Sequence, residues 1–229
     1  MKPQENVLQR MEQHIIDWQE TGDQRHVFLS CYRLMTANML TAVEENRFHD
    51  KLWVNNLLHH FADYYFEALA CYDCGEEVPQ VWKQVHEATR QKKLHRLQKL
   101  MMGVNAHINY DLVLTLYDVL CDEWPTLSPE VQKIRYEDHC TVNDIISATI
   151  DKVQDEILEP NDPIMAWIDQ AFGRLDEYLL SRLISSWRQN VWENTQKMLA
   201  TDSPAEREIL RLEVERHVLH RGKVLSLGK

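Results

Sequence analysis

An all-α protein is predicted by three features of this 229-residue sequence. Glycine (6) and proline (7) are scarce, so long stretches run without a breaker. Apolar residues recur at i, i+3, i+4 and i+7. The few breakers come with helix-capping residues. The length suits one large domain better than two. The spacing predicts a single-domain bundle of eight or nine helices spanning residues 1–229, with 201–229 as a C-terminal helix and tail.

Each element follows from local signals. From Gln4 to Gln19, Val7, Leu8, Met11, Ile15 and Trp18 share a helical face, and Thr21-Gly22-Asp23 ends that helix. Asp23 is placed to cap the next, where Val27, Phe28, Cys31, Leu34, Met35 and Met39 keep the period to Glu45. Asp50 caps a third helix to about Tyr72, crowded with Trp53, His59, His60, Phe61, Tyr64, Tyr65 and Phe66. Pro79 opens a fourth. A central helix is predicted from Leu94 to Cys121. Ser128-Pro129 starts the next, and Pro160 and Pro163 break the chain again. A short helix is expected over Ile164 to Phe172, then a long one over Leu175 to Leu199. Ser203-Pro204-Ala205-Glu206 has the order of a capping box and starts the last.

The balance of charge excludes several functions. A formal charge of −11 argues against nucleic-acid and anionic-membrane partners, which need a concentrated basic surface. No stretch approaches the ~20 apolar residues of a membrane span. Met1 to Asn6 lacks the apolar run of a signal peptide, so a cytoplasmic location is expected. Five cysteines, an odd number, give no disulfide framework. Cys71-Tyr72-Asp73-Cys74 has neither a βαβ context nor a second pair to complete a zinc site. No G-x-S-x-G, P-loop, dinucleotide fingerprint or H-E-x-x-H occurs.

Chemistry concentrates on helical His–oxygen pairs. Within the predicted central helix, Asn105, His107, Asn109, Tyr110 and Asp111 stand where a plain core helix carries Leu and Ala. His107 and Asp111 are four apart and share a face. His59 and His60 precede Asp63, and His139 precedes Asn143. Inward His and carboxylates on facing helices build metal sites in bundles. The leading expectation is therefore a metal-dependent enzyme, with phosphoester-type hydrolysis as the preferred reaction class. His60, Asp63, His107, Asp111 and His139 would hold a divalent Zn, Fe or Mn ion. Asn143 would orient substrate or water, and Arg188 would meet a negative group of a small-molecule substrate. The competing expectation is a non-enzymatic ligand-binding or interaction protein whose pairs only satisfy buried imidazoles. Leu212, Val218, Val224, Leu225 and Leu227 offer apolar area on which a second copy could dock as a homodimer.

Three resemblances attach to these residues. Phe48-His49-Asp50-Lys51-Leu52-Trp53, the run Phe61 to Ala68, the run Gly103 to Leu112, and Trp187-Arg188 with Trp192 resemble an uncharacterised bacterial family. That family is classed only as a domain of unknown function, and the likeness implies a soluble helical protein without naming an activity. The order His107/Asp111 then His139/Asn143 is more distantly similar to the zinc phospholipase C and single-strand nuclease group. Asn143 stands there for a carboxylate, and the N-terminal Trp ligand is absent. Asn143, Ser147 and Asp151 resemble the magnesium-diphosphate motif of class I terpene synthases, which implies Mg²⁺ as cofactor in a lyase alternative. No acidic D-D-x-x-D partner precedes them.

Overall fold

A rod from Arg96 to Leu120 runs through the middle of the molecule, with other helices packed along it. The computed structural model describes residues 6–156 and 175–227, with side chains at 6–150 and 178–227. The helices are α1 (Val7–Thr21), α2 (Arg25–Glu44), α3 (Lys51–Cys74), α4 (Gln80–Thr89), α5 (Arg96–Ala106), α6 (Leu112–Leu120), α7 (Pro129–Glu156), α8 (Leu175–Leu199) and α9 (Pro204–Ser226). A π-helical turn, His107–Asp111, joins α5 to α6, and a 3₁₀ turn, Trp124–Thr126, precedes α7. The fold is all-α, and no strand occurs among the described residues. The expected Ile164–Phe172 helix and the side chain of Asp151 lie outside them.

The rod is central because its apolar residues cover more than one face. Leu112, Val113, Leu116 and Leu120 are buried in α6, as are Met102 and Ala106 in α5. Helices α2, α3, α4, α8 and α9 all pack on the α5–π–α6 rod, α7 bridges α2 and α8, and α1 lies on α2. The C-terminal helix is docked on α4, α5 and α8.

Ends fall where the capping residues place them. Asp50 accepts from the Trp53 N–H at 3.0 Å, and Ser203 from the Glu206 N–H at 3.3 Å. Asp23 accepts from the Arg25 N–H at 2.9 Å. Gly22 and Gly75 end α1 and α3 with φ of 73°, a left-handed conformation that costs glycine little. Gly103 has another reason. A Cβ built there would lie 2.5 Å from Cδ2 of Phe28, so α2 and α5 approach closely only because the side chain is missing. Among the described residues, no helix is long and apolar enough to cross a membrane.

The central helix departs from expectation at one place. Instead of one α-helix, the rod widens over His107–Asp111, where the Leu112 N–H donates to the His107 carbonyl. A π-turn places one extra residue in the turn and re-aims the side chains around it.

Candidate functional site

Beside the widened turn lies an apolar cavity of about 140 Å³. Phe28, Met35 and Met39 of α2, Val54, Leu57 and Phe61 of α3, Ile108 and Leu112 of the rod, Val142 and Ile146 of α7, and Ile184 of α8 line it. Among these carbon walls stand His107 and Arg188. The volume matches an engineered core cavity of about 150 Å³ that takes a benzene-sized guest.

His107 is held on every side but one. Its Nδ1 lies 2.8 Å from Oδ2 of Asp111, and the Trp82 indole N–H donates to both oxygens of that carboxylate at 3.0 Å. The imidazole stacks on Phe61 with centroids 3.6 Å apart and planes 8° from parallel, and Tyr32 meets it edgewise. Burial pulls the imidazole pKa down, partly offset by Asp111. Burial pushes the Asp111 carboxyl up, opposed by His107 and Trp82. With the Nδ1 proton shared toward Asp111, Nε2 lies on the ring edge turned away from that carboxylate. It is buried without a hydrogen-bond partner. An oriented imidazole with a bare second nitrogen is suited to accept a proton or to bind a ligand.

Arg188 and His139 form the other polar wall. Arg188 Nη2 donates to the His139 carbonyl at 2.7 Å and lies 3.2 Å from His139 Nδ1, while Nε donates to Asn143 Oδ1 at 2.9 Å. His139 Nε2 lies 3.1 Å from the Arg188 carbonyl. The ring therefore carries its proton on Nε2 and accepts at Nδ1 from the guanidinium. It is a neutral imidazole, its pKa pulled well down by burial first and the Arg188 charge second. Arg188 is only 5% exposed. Burial lowers its pKa to about 10, which leaves it a cation at neutral pH. No carboxylate among the described residues makes an ion pair with it. Asp138, which also lines the cavity, spends its two oxygens on the His49 and Asp50 N–H groups, each at 2.8 Å.

The seven candidate residues fall into three places. His107 and Asp111 pair, and His139, Asn143 and Arg188 form one network. His60 and Asp63 belong to neither, contrary to expectation. Both are exposed on α3, and His60 Nε2 lies 3.9 Å from Asp118. The reason is helical phase: Leu57, Phe61 and Tyr65 turn inward at i, i+4 and i+8, which sends 60 and 63 outward. Among the described residues, no group of three His, Cys, Asp or Glu side chains is placed to hold one metal ion. The common centre expected from three imidazoles is not built there. On α7 Ser147 is exposed and Asn143 is engaged by Arg188. All five cysteines are free. Trp82, Phe61 and Asp138 are given no site role by the sequence, where Phe61 stands only among the aromatic residues of α3. The first two complete the His107 surroundings, and the third anchors the start of α3. Their roles rest on contacts between distant segments, which spacing does not encode.

The profile of a family of unknown function, DUF5995, matches residues 4–227. The chain belongs to that family. The span of DUF5995 takes in every helix from α1 to α9, so the cavity and both polar walls lie inside it. No curated protein and no solved structure matches the chain.

Proposed function

We propose that this DUF5995 chain is a cytoplasmic small-molecule-binding protein whose cavity takes a compact apolar anion, with a carboxylate as its charged group. One observation carries the reading: a buried guanidinium beside an apolar cavity, with no carboxylate partner among the described residues. Burying an ion costs several kcal/mol unless a counter-charge compensates it. His139 and Asn143 supply acceptors but no negative charge. A ligand carboxylate supplies it, and its ring or short chain fills the carbon-lined space. Calorimetric titration with hexanoate and phenylacetate, against hexanol and benzyl alcohol, tests this. Arg188→Gln is expected to weaken the acids about tenfold or more, the worth of a charged hydrogen bond, and to leave the alcohols unchanged. Equal losses for acids and alcohols, in a variant with unaltered circular dichroism, reject the assignment.

A metal-dependent hydrolase is the second reading, and the Asp111–His107 pair favours it. A metal-ligating imidazole commonly gives its other ring N–H to a carboxylate. Here Nε2 of His107 would be the protein ligand, with water and substrate completing the shell. Elemental analysis of protein purified without added metal decides. Near-stoichiometric Zn, Fe or Mn, lost in His107→Ala, supports this reading; traces unaffected by that substitution remove it.

A further inference from the structure

At the opposite end of the α5 segment from the cavity is a second concavity, sharing no lining residue with the first. It is a cleft of about 700 Å³ between the α1–α2 turn, Thr21 to Gln24, and the α4–α5 link. The link and the first turn of α5 bring Arg90, Lys92, His95, Arg96 and Lys99 to its wall. The acidic residue lining it is Asp23, whose carboxylate is held by Arg25 at 2.7 Å. In a chain of net charge −11, this is a local reversal of sign.

Two features turn a basic patch into a built site. The rod begins here; the His95–Gln98 capping box takes part of the hydrogen bonding of its first turn, and the helix dipole adds positive potential. Lys99 is the second and independent feature. It is only 7% exposed, yet its side chain makes no hydrogen bond or ion pair with any described residue, while its backbone N–H bonds to the His95 carbonyl. The lysine stem is buried while the ammonium is not sealed from solvent, so the charge opens on the cleft that Lys99 lines. Burial and the neighbouring Arg96 pull its pKa down, and the negative charge of a bound anion opposes that shift.

We infer that this cleft binds a small, multiply charged phosphorylated anion, gripped by Lys99, Lys92, Arg90 and the amino end of α5. Several cations converging on one opening exceed what a single carboxylate satisfies, and phosphate oxygens accept from ammonium, guanidinium and backbone donors together.

Isothermal titration with inorganic pyrophosphate, on the full chain at low ionic strength, tests the inference. A saturable heat that shrinks as salt is raised is expected. Lys99→Met keeps the buried stem and removes the charge, and it is expected to weaken binding tenfold or more. Lys92→Gln, at an exposed position, is expected to weaken it severalfold, and Lys133→Gln on α7 to leave it unchanged. No saturable heat, or equal weakening by Lys133→Gln, overturns the proposal. So does an unchanged affinity in Lys99→Met or, should that variant not fold, in Lys92→Gln. A lipid source is separated by flotation with phosphatidylcholine vesicles carrying phosphatidic acid. Capture on those vesicles without any heat from pyrophosphate overturns the soluble-ligand assignment.

Discussion

Three histidines buried in this fold are held toward their neutral forms, and each sits in a different kind of surrounding. His86 has neither ring nitrogen hydrogen-bonded, packs on Tyr72 and Trp82, and has its pKa lowered by burial to about 4. His139 is held neutral by burial and a neighbouring guanidinium, and His107 by burial against an opposing carboxylate. For His86 the unfolded chain binds the proton more readily than the folded one. Its neutral form therefore contributes stability that is complete above about pH 6.5 and is lost as pH falls toward 4. The depression from 6.5 to about 4 corresponds to roughly 3 kcal/mol. Asp111, whose carboxyl is raised, works in the opposite sense, so the informative quantity is a difference between proteins. Urea midpoints measured from pH 7 to pH 5 are expected to fall less steeply in His86→Leu than in the parent. Parallel curves count against a buried neutral imidazole at 86. At this scale the sequence showed which residue types were unusual, such as the polar run through Asp111. It did not show which would be orphaned, because His86 sits in an ordinary amphipathic pattern.

Among the elements, the rods were readable and the joint was not. Val27, Phe28, Leu34 and Met35 declare α2 by spacing, and Asp50 and Ser203 declare where α3 and α9 begin. The π-turn at His107–Asp111 was missed because one inserted residue barely disturbs a 3.6-residue period over five positions. The same insertion puts His107 against Phe61 and beside the cavity. Gly103, one turn earlier, is the companion feature. By intrinsic propensity alone, Ala at an exposed helical site would gain about 1 kcal/mol over Gly. Here the new methyl meets Cδ2, Cγ and Cβ of Phe28 at 2.5 to 3.1 Å, and that ring is buried and lines the cavity. Gly103→Ala is therefore expected to destabilise by about 1–3 kcal/mol, the usual cost of overpacking a core, in urea unfolding. A gain in stability would mean that α2 and the rod are not pressed together as described.

For the whole molecule, the question is how segments far apart in sequence come to share one space. Arg188 and His139 are 49 positions apart, and Asp138 meets His49 across 89. Spacing within a helix assigns faces but not partners, which is why His107 and Asp111 were paired correctly while His60 and Asp63 were drawn to a centre that helical phase denies them. The cavity is a product of that assembly: α2, α3, the rod, α7 and α8 each supply a wall, and none encloses it alone. A ligand that fills it and neutralises Arg188 binds the folded chain and has no equivalent site in the unfolded one. It must then raise the stability of the whole bundle, by about 2.7 kcal/mol at a hundredfold excess over its Kd. For a chain of this size, 1 kcal/mol shifts Tm by roughly 2–4 °C. Hexanoate at that excess is therefore expected to raise Tm by about 5–10 °C in the parent, matched to an equal ionic strength of chloride. Compared at that same concentration, Arg188→Gln is expected to show about half the rise or less, because a tenfold weaker Kd leaves about 1.4 kcal/mol of the linkage. If hexanol at its own saturating concentration shifts the parent as far as the acid does in proportion to occupancy, and Arg188→Gln leaves both shifts intact, the guanidinium is a structural cation and the cavity a purely apolar one.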